Sequence, residues 1–193
     1  LIHYSYIYIR KGEMIKNFLL AIVLLLTFFP FTEMSFANGE PEGITINKSG
    51  SSYQINFNLP QFDYQNLSAA GEEFVRLRVK NYGTTSEVGL PELPIVTFNI
   101  AIPYSQNSVS FKDVVTELFD QPVVGKVYPF QEPWEKSNPI GERPFTINRD
   151  YYNSRGIAQP FIKISEPFII GGVKGVTVSI YPFNYSPSDN KLT

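Results

Sequence analysis

The 193-residue chain contains no cysteine and only one histidine, His3. Without cysteine there are no disulfides, no thiolate nucleophile and no sulfur-ligated metal. His3 lies ahead of an export-signal pattern described below. The segment after that signal therefore has neither Cys nor His. This excludes Cys/His and Ser/His nucleophilic catalysis there, and zinc sites built on either residue. Net charge is also scarce, at −2. Neither nucleic acid nor an anionic membrane surface is indicated as a partner. No stretch shows a sustained 3.6-residue apolar repeat, so no helix of convincing length is expected.

One long apolar run is present, Phe18–Phe29, and it follows the basic n-region Met14-Ile15-Lys16-Asn17. Pro30 breaks it, and Ser35-Phe36-Ala37 offers the small residues a signal peptidase reads. Residues 14–37 are read as a signal peptide cleaved after Ala37. A dozen apolar residues rising 1.5 Å each fall short of the roughly 30 Å hydrocarbon core, which argues against a membrane anchor. Leu1–Glu13 begins without Met and is read as an upstream leader rather than structure. Residues 38–193 form the expected domain, secreted, periplasmic or held at the cell surface. With no disulfides it must be stabilised by packing or by a partner, which leans towards a bacterial source.

What that segment does contain is strand alternation punctuated by Pro and Gly. Gly89–Pro103, GLPELPIVTFNIAIP, opens with a proline-bounded turn. Val96, Phe98, Ile100 and Ile102 then face one way and Thr97, Asn99 and Ala101 the other. Such a strand buries one face against a partner sheet, and its prolines fix where pairing starts and stops. Ile44–Asn47 and Ser52–Leu59 read as a hairpin about Ser49-Gly50-Ser51. Further strands are expected near 62–67, 73–79, 108–119, 122–128, 161–170 and 175–183, with a hairpin at Gly171-Gly172 and one short turn within 147–154. The fold class is all-β, an antiparallel, jelly-roll-like sandwich of eight to ten strands. Lys191-Leu192-Thr193 falls where another strand is due, so the sandwich is expected to lack its last strand or strands.

Candidate chemistry is thin. Glu72-Glu73, Asp113 with Glu117, and Glu132 with Glu135 are carboxylate pairs, but a glycosidase needs two carboxyls held across a cleft. Solvated surface charge is the better reading. Ser188-Asp189-Asn190 lacks the ligand spacing of a calcium loop and reads as a turn. No metal or cofactor is expected. Trp134, Tyr151, Tyr152, Tyr181, Phe183 and Tyr185 could stack on sugars, although aromatics at strand spacing are more often core. The segment Pro129–Pro144, PFQEPWEKSNPIGERP, is different. Its prolines forbid a central strand and stiffen a long exposed loop, with Lys136 in its middle. A stiff, extended loop pays less ordering entropy on docking, as a substrate-like segment in a protease cleft does.

These landmarks, in order, resemble a known family. They are GLPELPIVTFNIAIP, Tyr128-Pro129-Phe130-Gln131-Glu132-Pro133, Asp150-Tyr151-Tyr152, Glu166-Pro167-Phe168, and a closing strand that runs to Tyr185-Ser186-Pro187. The pattern is similar to the N-terminal propeptide of gingipain-type secreted cysteine peptidases, over about Tyr53 to Thr193. It departs from that pattern at Ser186, where the family carries Asn. The resemblance implies a β-sandwich prodomain that keeps a protease latent and assists its folding. Its partner is the cognate cysteine protease catalytic domain, expected beyond Thr193. The resemblance also implies an inhibitory loop drawn from Gln131, Pro133, Trp134, Glu135, Lys136 and Arg143. Lys136 falls nearest the position that enters a specificity pocket, with Glu135 and Arg143 next. The rival reading is a secreted bacterial carbohydrate-binding or adhesion sandwich.

Overall fold

A computed structural model describes residues 5–9, 41–50, 52–135, 141 and 143–193. The signal peptide read at 14–37 and the loop lysine Lys136 lie outside the described residues. The first strands are β1 (Ser5–Ile9), β2 (Ile44–Ser49), β3 (Ser52–Phe57), β4 (Phe62–Ala69) and β5 (Glu72–Val79). Next come β6 (Gly83–Thr84), β7 (Pro94–Ala101), β8 (Phe111–Val115), β9 (Gln121–Pro122) and β10 (Lys126–Val127). A single helical turn, α1 (Arg149–Tyr152), precedes β11 (Ile162–Ile164), β12 (Phe168–Ile170) and β13 (Val173–Ile180). The last are β14 (Tyr185–Ser186) and β15 (Lys191–Leu192).

Among the described residues the strands form four small sheets, ordered β2-β3-β1-β8, β10-β5-β4, β11-β13-β7-β6 with β12 beside β13, and β14-β15-β9. Pairing is antiparallel apart from β10 against β5. The expected all-β sandwich is present, cut into more and shorter strands than eight to ten. Ser5–Ile9, read as leader, is a strand paired with both β3 and β8.

Alternation becomes burial most clearly on β7. Val96, Phe98, Ile100 and Ile102 are all buried, while Thr97 and Asn99 are exposed. On β13, Ile180, Val178 and Val176 sit opposite Val96, Phe98 and Ile100. Directly opposed residues share a face, so this register sets the apolar rows side by side. Ile44, Ile55 and Phe57 from the β2–β3 hairpin close the other side of this core. A second core gathers Val75, Leu77 and Val79 of β5 with Leu93, Val127, Tyr152, Phe183, Tyr185 and Leu192. Tyr152, Phe183 and Tyr185 are therefore packing residues rather than a stacking platform.

Two expectations need correction. The strand expected over 122–128 is two short ones, because Gly125 takes a left-handed φ of +93° and turns the chain between them. The strand expected over 161–170 breaks at Ser165–Pro167. There the Ser165 hydroxyl replaces a ladder partner, accepting from Thr177 N–H at 2.9 Å. Strand β5 buries apolar residues on both faces. Phe74 is also fully buried, on the side opposite Leu77.

Candidate interaction loop

The proline-rich loop rises from a foundation made by the turn before β7. Pro91 bridges Pro129 in antiparallel fashion. Glu92 N–H donates to Tyr128 C=O at 2.8 Å, and Phe130 N–H donates to Leu90 C=O at 2.8 Å. The bonds thus flank the proline pair, which occupies the non-hydrogen-bonded position where neither nitrogen is asked to donate. Pro91 is buried, and Pro129 almost completely so.

Gly89 ties both feet of the loop to this foundation. Its N–H donates to Phe130 C=O at 2.9 Å, and its C=O accepts from Asn148 N–H at 2.9 Å. Its φ is +81°, and a Cβ there would meet Asn148 N at 3.1 Å. Conformation and space both demand glycine. Asn148 also caps α1, its Oδ1 accepting from Tyr151 N–H at 3.0 Å.

Gln131 straps the feet directly. Its Nε2 donates to Pro129 C=O at 2.9 Å and to Thr146 C=O at 2.8 Å, while its Oε1 accepts from Thr146 N–H at 2.8 Å. Phe145 packs on Phe74 and Tyr128, with centroids 5.4 and 5.8 Å away. Arg76 lies 4.3 Å over the Tyr128 ring and pairs with Glu92 at 2.8 Å. Glu72 meets both Lys126 and Arg149, the latter at 2.6 Å. Hydrogen bonds from Lys126 and then Arg149 hold the Glu72 carboxyl below its ordinary value. Tyr152 donates its hydroxyl to Val127 C=O at 2.6 Å, and burial pushes that phenol well above its ordinary range.

Above this base Glu132, Pro133, Trp134 and Glu135 are exposed, Trp134 by 42%. Arg143 returns to the loop, donating to Glu132 C=O. Of the residues singled out in sequence, Gln131 is therefore a strap and Arg143 a second tie between the two arms, while Pro133, Trp134 and Glu135 are exposed. The carboxylate pairs do not converge on a cleft. Glu72 is engaged by two cations, and Asp113 lies 4.0 Å from Lys112. Asp189 accepts from the Ser186 hydroxyl at 2.7 Å, consistent with a turn. Sequence reasoning missed Gly89, Phe74, Arg76 and Phe145 as the loop's base. The repeated proline spacing of Leu90-Pro91-Glu92 and Tyr128-Pro129-Phe130 was the available signal.

Fold and site together define a class: an all-β sandwich that carries a proline-rich loop strapped at its feet. The chain belongs to the Propeptide_C25 family, whose model matches residues 35–193, and it is homologous to gingipain propeptides. Lys-gingipain W83 and Lys-gingipain 381 of Porphyromonas gingivalis are each 26% identical to it over 151 residues, 76% of this chain. The chain spans 9% of the length of these relatives. A solved structure addressing the zymogenic latency of gingipain K from Porphyromonas gingivalis matches with a TM-score of 0.64 and 24% identity, covering 77% of this chain and 85% of that one. A complex of Porphyromonas gingivalis RgpB pro- and mature domains matches with a TM-score of 0.68 and 17% identity, covering 79% of each chain. At these identities the structural likeness speaks for the fold. Among the described residues, no helix is long and apolar enough to cross a membrane.

Proposed function

We propose that this domain holds a secreted cysteine protease latent and assists its folding, with the loop from Gln131 to Pro144 entering the protease cleft. The observation that carries the reading is the double fastening of that loop. Gly89 and Gln131 each bond both of its feet. A loop fastened at both feet has less freedom to lose on docking than an unanchored one. The same rigidity can hold a scissile bond off the attack geometry, so the loop blocks rather than being cut. The latency and the pro–mature complex named for the gingipain K and RgpB structures agree with this role.

Lys136 is the side chain proposed for the specificity pocket. A cation desolvated in an acidic pocket is a high-value anchor. Arg143 is less suited, since its guanidinium is engaged with Glu132 C=O. After the proposed cleavage at Ala37 the domain has neither the cysteine nor the histidine of a Cys/His pair, so in this reading those groups belong to the protease. Export through residues 14–37 would deliver both to the secreted or cell-surface space. None of the relatives described above supports a carbohydrate-binding or adhesion role.

The test is inhibition of a gingipain-type protease by the purified domain, its fold verified by circular dichroism. Inhibition that is lost in Lys136→Ala supports the reading. A folded domain without inhibitory effect contradicts it.

A further inference from the structure

The position between β3 and β8 is a slot for a strand. Strand β1 fills it, Ser5–Tyr8 pairing with Phe57–Gln54 and Tyr6–Ile9 pairing with Val115–Phe111. Both pairings are antiparallel, so β3 and β8 run parallel to each other, one strand's width apart. Cleavage after Ala37 would detach β1 from the domain. It would leave two facing edges of unpaired N–H and C=O groups, which folded proteins do not ordinarily leave open.

The slot continues into a cavity of about 570 Å³ at the Ser5 end. Phe57 and Asn58, at the end of β3, form one wall. Thr116, Leu118 and Phe119, directly after β8, form the other. The Asn58 Oδ1 is buried without a hydrogen-bond partner among the described residues. Thr193 also lines the cavity. It is fixed there by paired backbone bonds with Asn184 at 2.8 and 2.9 Å, and by its hydroxyl donating to Asp120 at 3.0 Å.

Direction then selects an occupant. A chain leaving Thr193 through this cavity reaches the Phe57 and Val115 end of the slot first. Running on, it travels as β1 does, antiparallel to both edges. We propose that this slot is the seat of the polypeptide that follows Thr193 in a longer precursor. The relatives, of which this chain spans 9%, have ample chain to supply it. Some five residues, at about 3.4 Å each, would fill the slot. The domain is then completed only when downstream chain has been made, which couples its folding to that of the protease it precedes. The inference rests on reading the domain as the front of a longer precursor, and not on which loop residue enters the protease.

Hydrogen exchange on two whole chains tests it: residues 1–193, and the same chain extended by about the next 30 residues of its reading frame. In the extended chain, four to six downstream amides should become protected. Those of Gln54–Phe57 and Phe111–Val115 should stay protected, and those of Ser5–Ile9 should exchange on the order of 100-fold faster than in the shorter chain. Ser5–Ile9 retaining its protection while the downstream amides exchange freely would overturn the proposal. So would slot edges that exchange freely in the extended chain, or a dimer by light scattering with a second copy's strand in the slot. Protease inhibition plays no part in these readouts, so loss of the inhibitory reading and loss of this one are told apart.

Discussion

Pro91 and Pro129 face each other across an antiparallel bridge in which neither nitrogen is required to donate. This pair fastens the turn before β7 to the start of the loop. Moving the pair to 92 and 128 would remove the bond from Glu92 N–H to Tyr128 C=O and the bond from Tyr128 N–H to Val75 C=O. The register of the loop's base is thus written into the spacing of its prolines.

Gly89→Ala should be the most damaging small substitution at the base. Its φ of +81° and the 3.1 Å approach of a Cβ to Asn148 N each oppose a side chain. The expected loss is about 1–3 kcal/mol by urea unfolding, with inhibition weakened in parallel. Unchanged stability would show that the chain relaxes around the added methyl.

Gln131→Ala removes both donors and the acceptor that join Pro129 to Thr146. Stability should fall by about 1–2 kcal/mol. Amide exchange should accelerate across the loop, while the cores around Val178 and Leu77 keep their protection. Gln131→Glu keeps the shape and the acceptor but loses the donors, so it should fall between wild type and Gln131→Ala.

Much of this fold is legible in the residue pattern alone. The apolar rows of β3, β5, β7 and β13 follow period-2 alternation, and Ile55, Leu77, Phe98 and Val178 are buried as alternation requires. What escapes such a reading depends on contacts distant in sequence. Phe74 is buried on the far face of β5 because Tyr128 and Phe145 pack there, more than fifty positions away. The two-residue strands β9, β14 and β15 carry no periodicity of their own and exist only as partners of one another. Prolines mark the loop in the sequence, but its fastening has no such mark. A glutamine that bonds fifteen residues ahead leaves no local pattern.

Acid should loosen the loop's base through Glu72. Its carboxyl, held below the ordinary 4.5 by Lys126 and Arg149, contributes stability that is present above the unfolded-state value. That contribution is lost as pH falls through the depressed folded value. Unfolding measured against pH should show wild type more stable than Glu72→Gln near neutrality, with the two converging in acid. Parallel curves at all pH values would contradict this.

Tyr152→Phe deletes a buried hydroxyl that donates to Val127 C=O at 2.6 Å. The orphaned carbonyl should cost about 1–2 kcal/mol by thermal or urea unfolding. Leu77→Ala, in the fully buried second core, should cost about 2–5 kcal/mol and serves as the calibrating core variant. A smaller effect at Leu77 than at Tyr152 would mean that this core can collapse around a cavity.

The most direct test of the central claim is the inhibition constant of the folded domain against a gingipain-type cysteine protease, measured for wild type and Lys136→Ala. Wild type should inhibit at roughly micromolar concentration or below, and Lys136→Ala should lose most of that affinity with its circular dichroism unchanged. A folded wild-type domain that leaves the protease fully active would contradict the latency role. Equal inhibition by both forms would remove Lys136 from the contact.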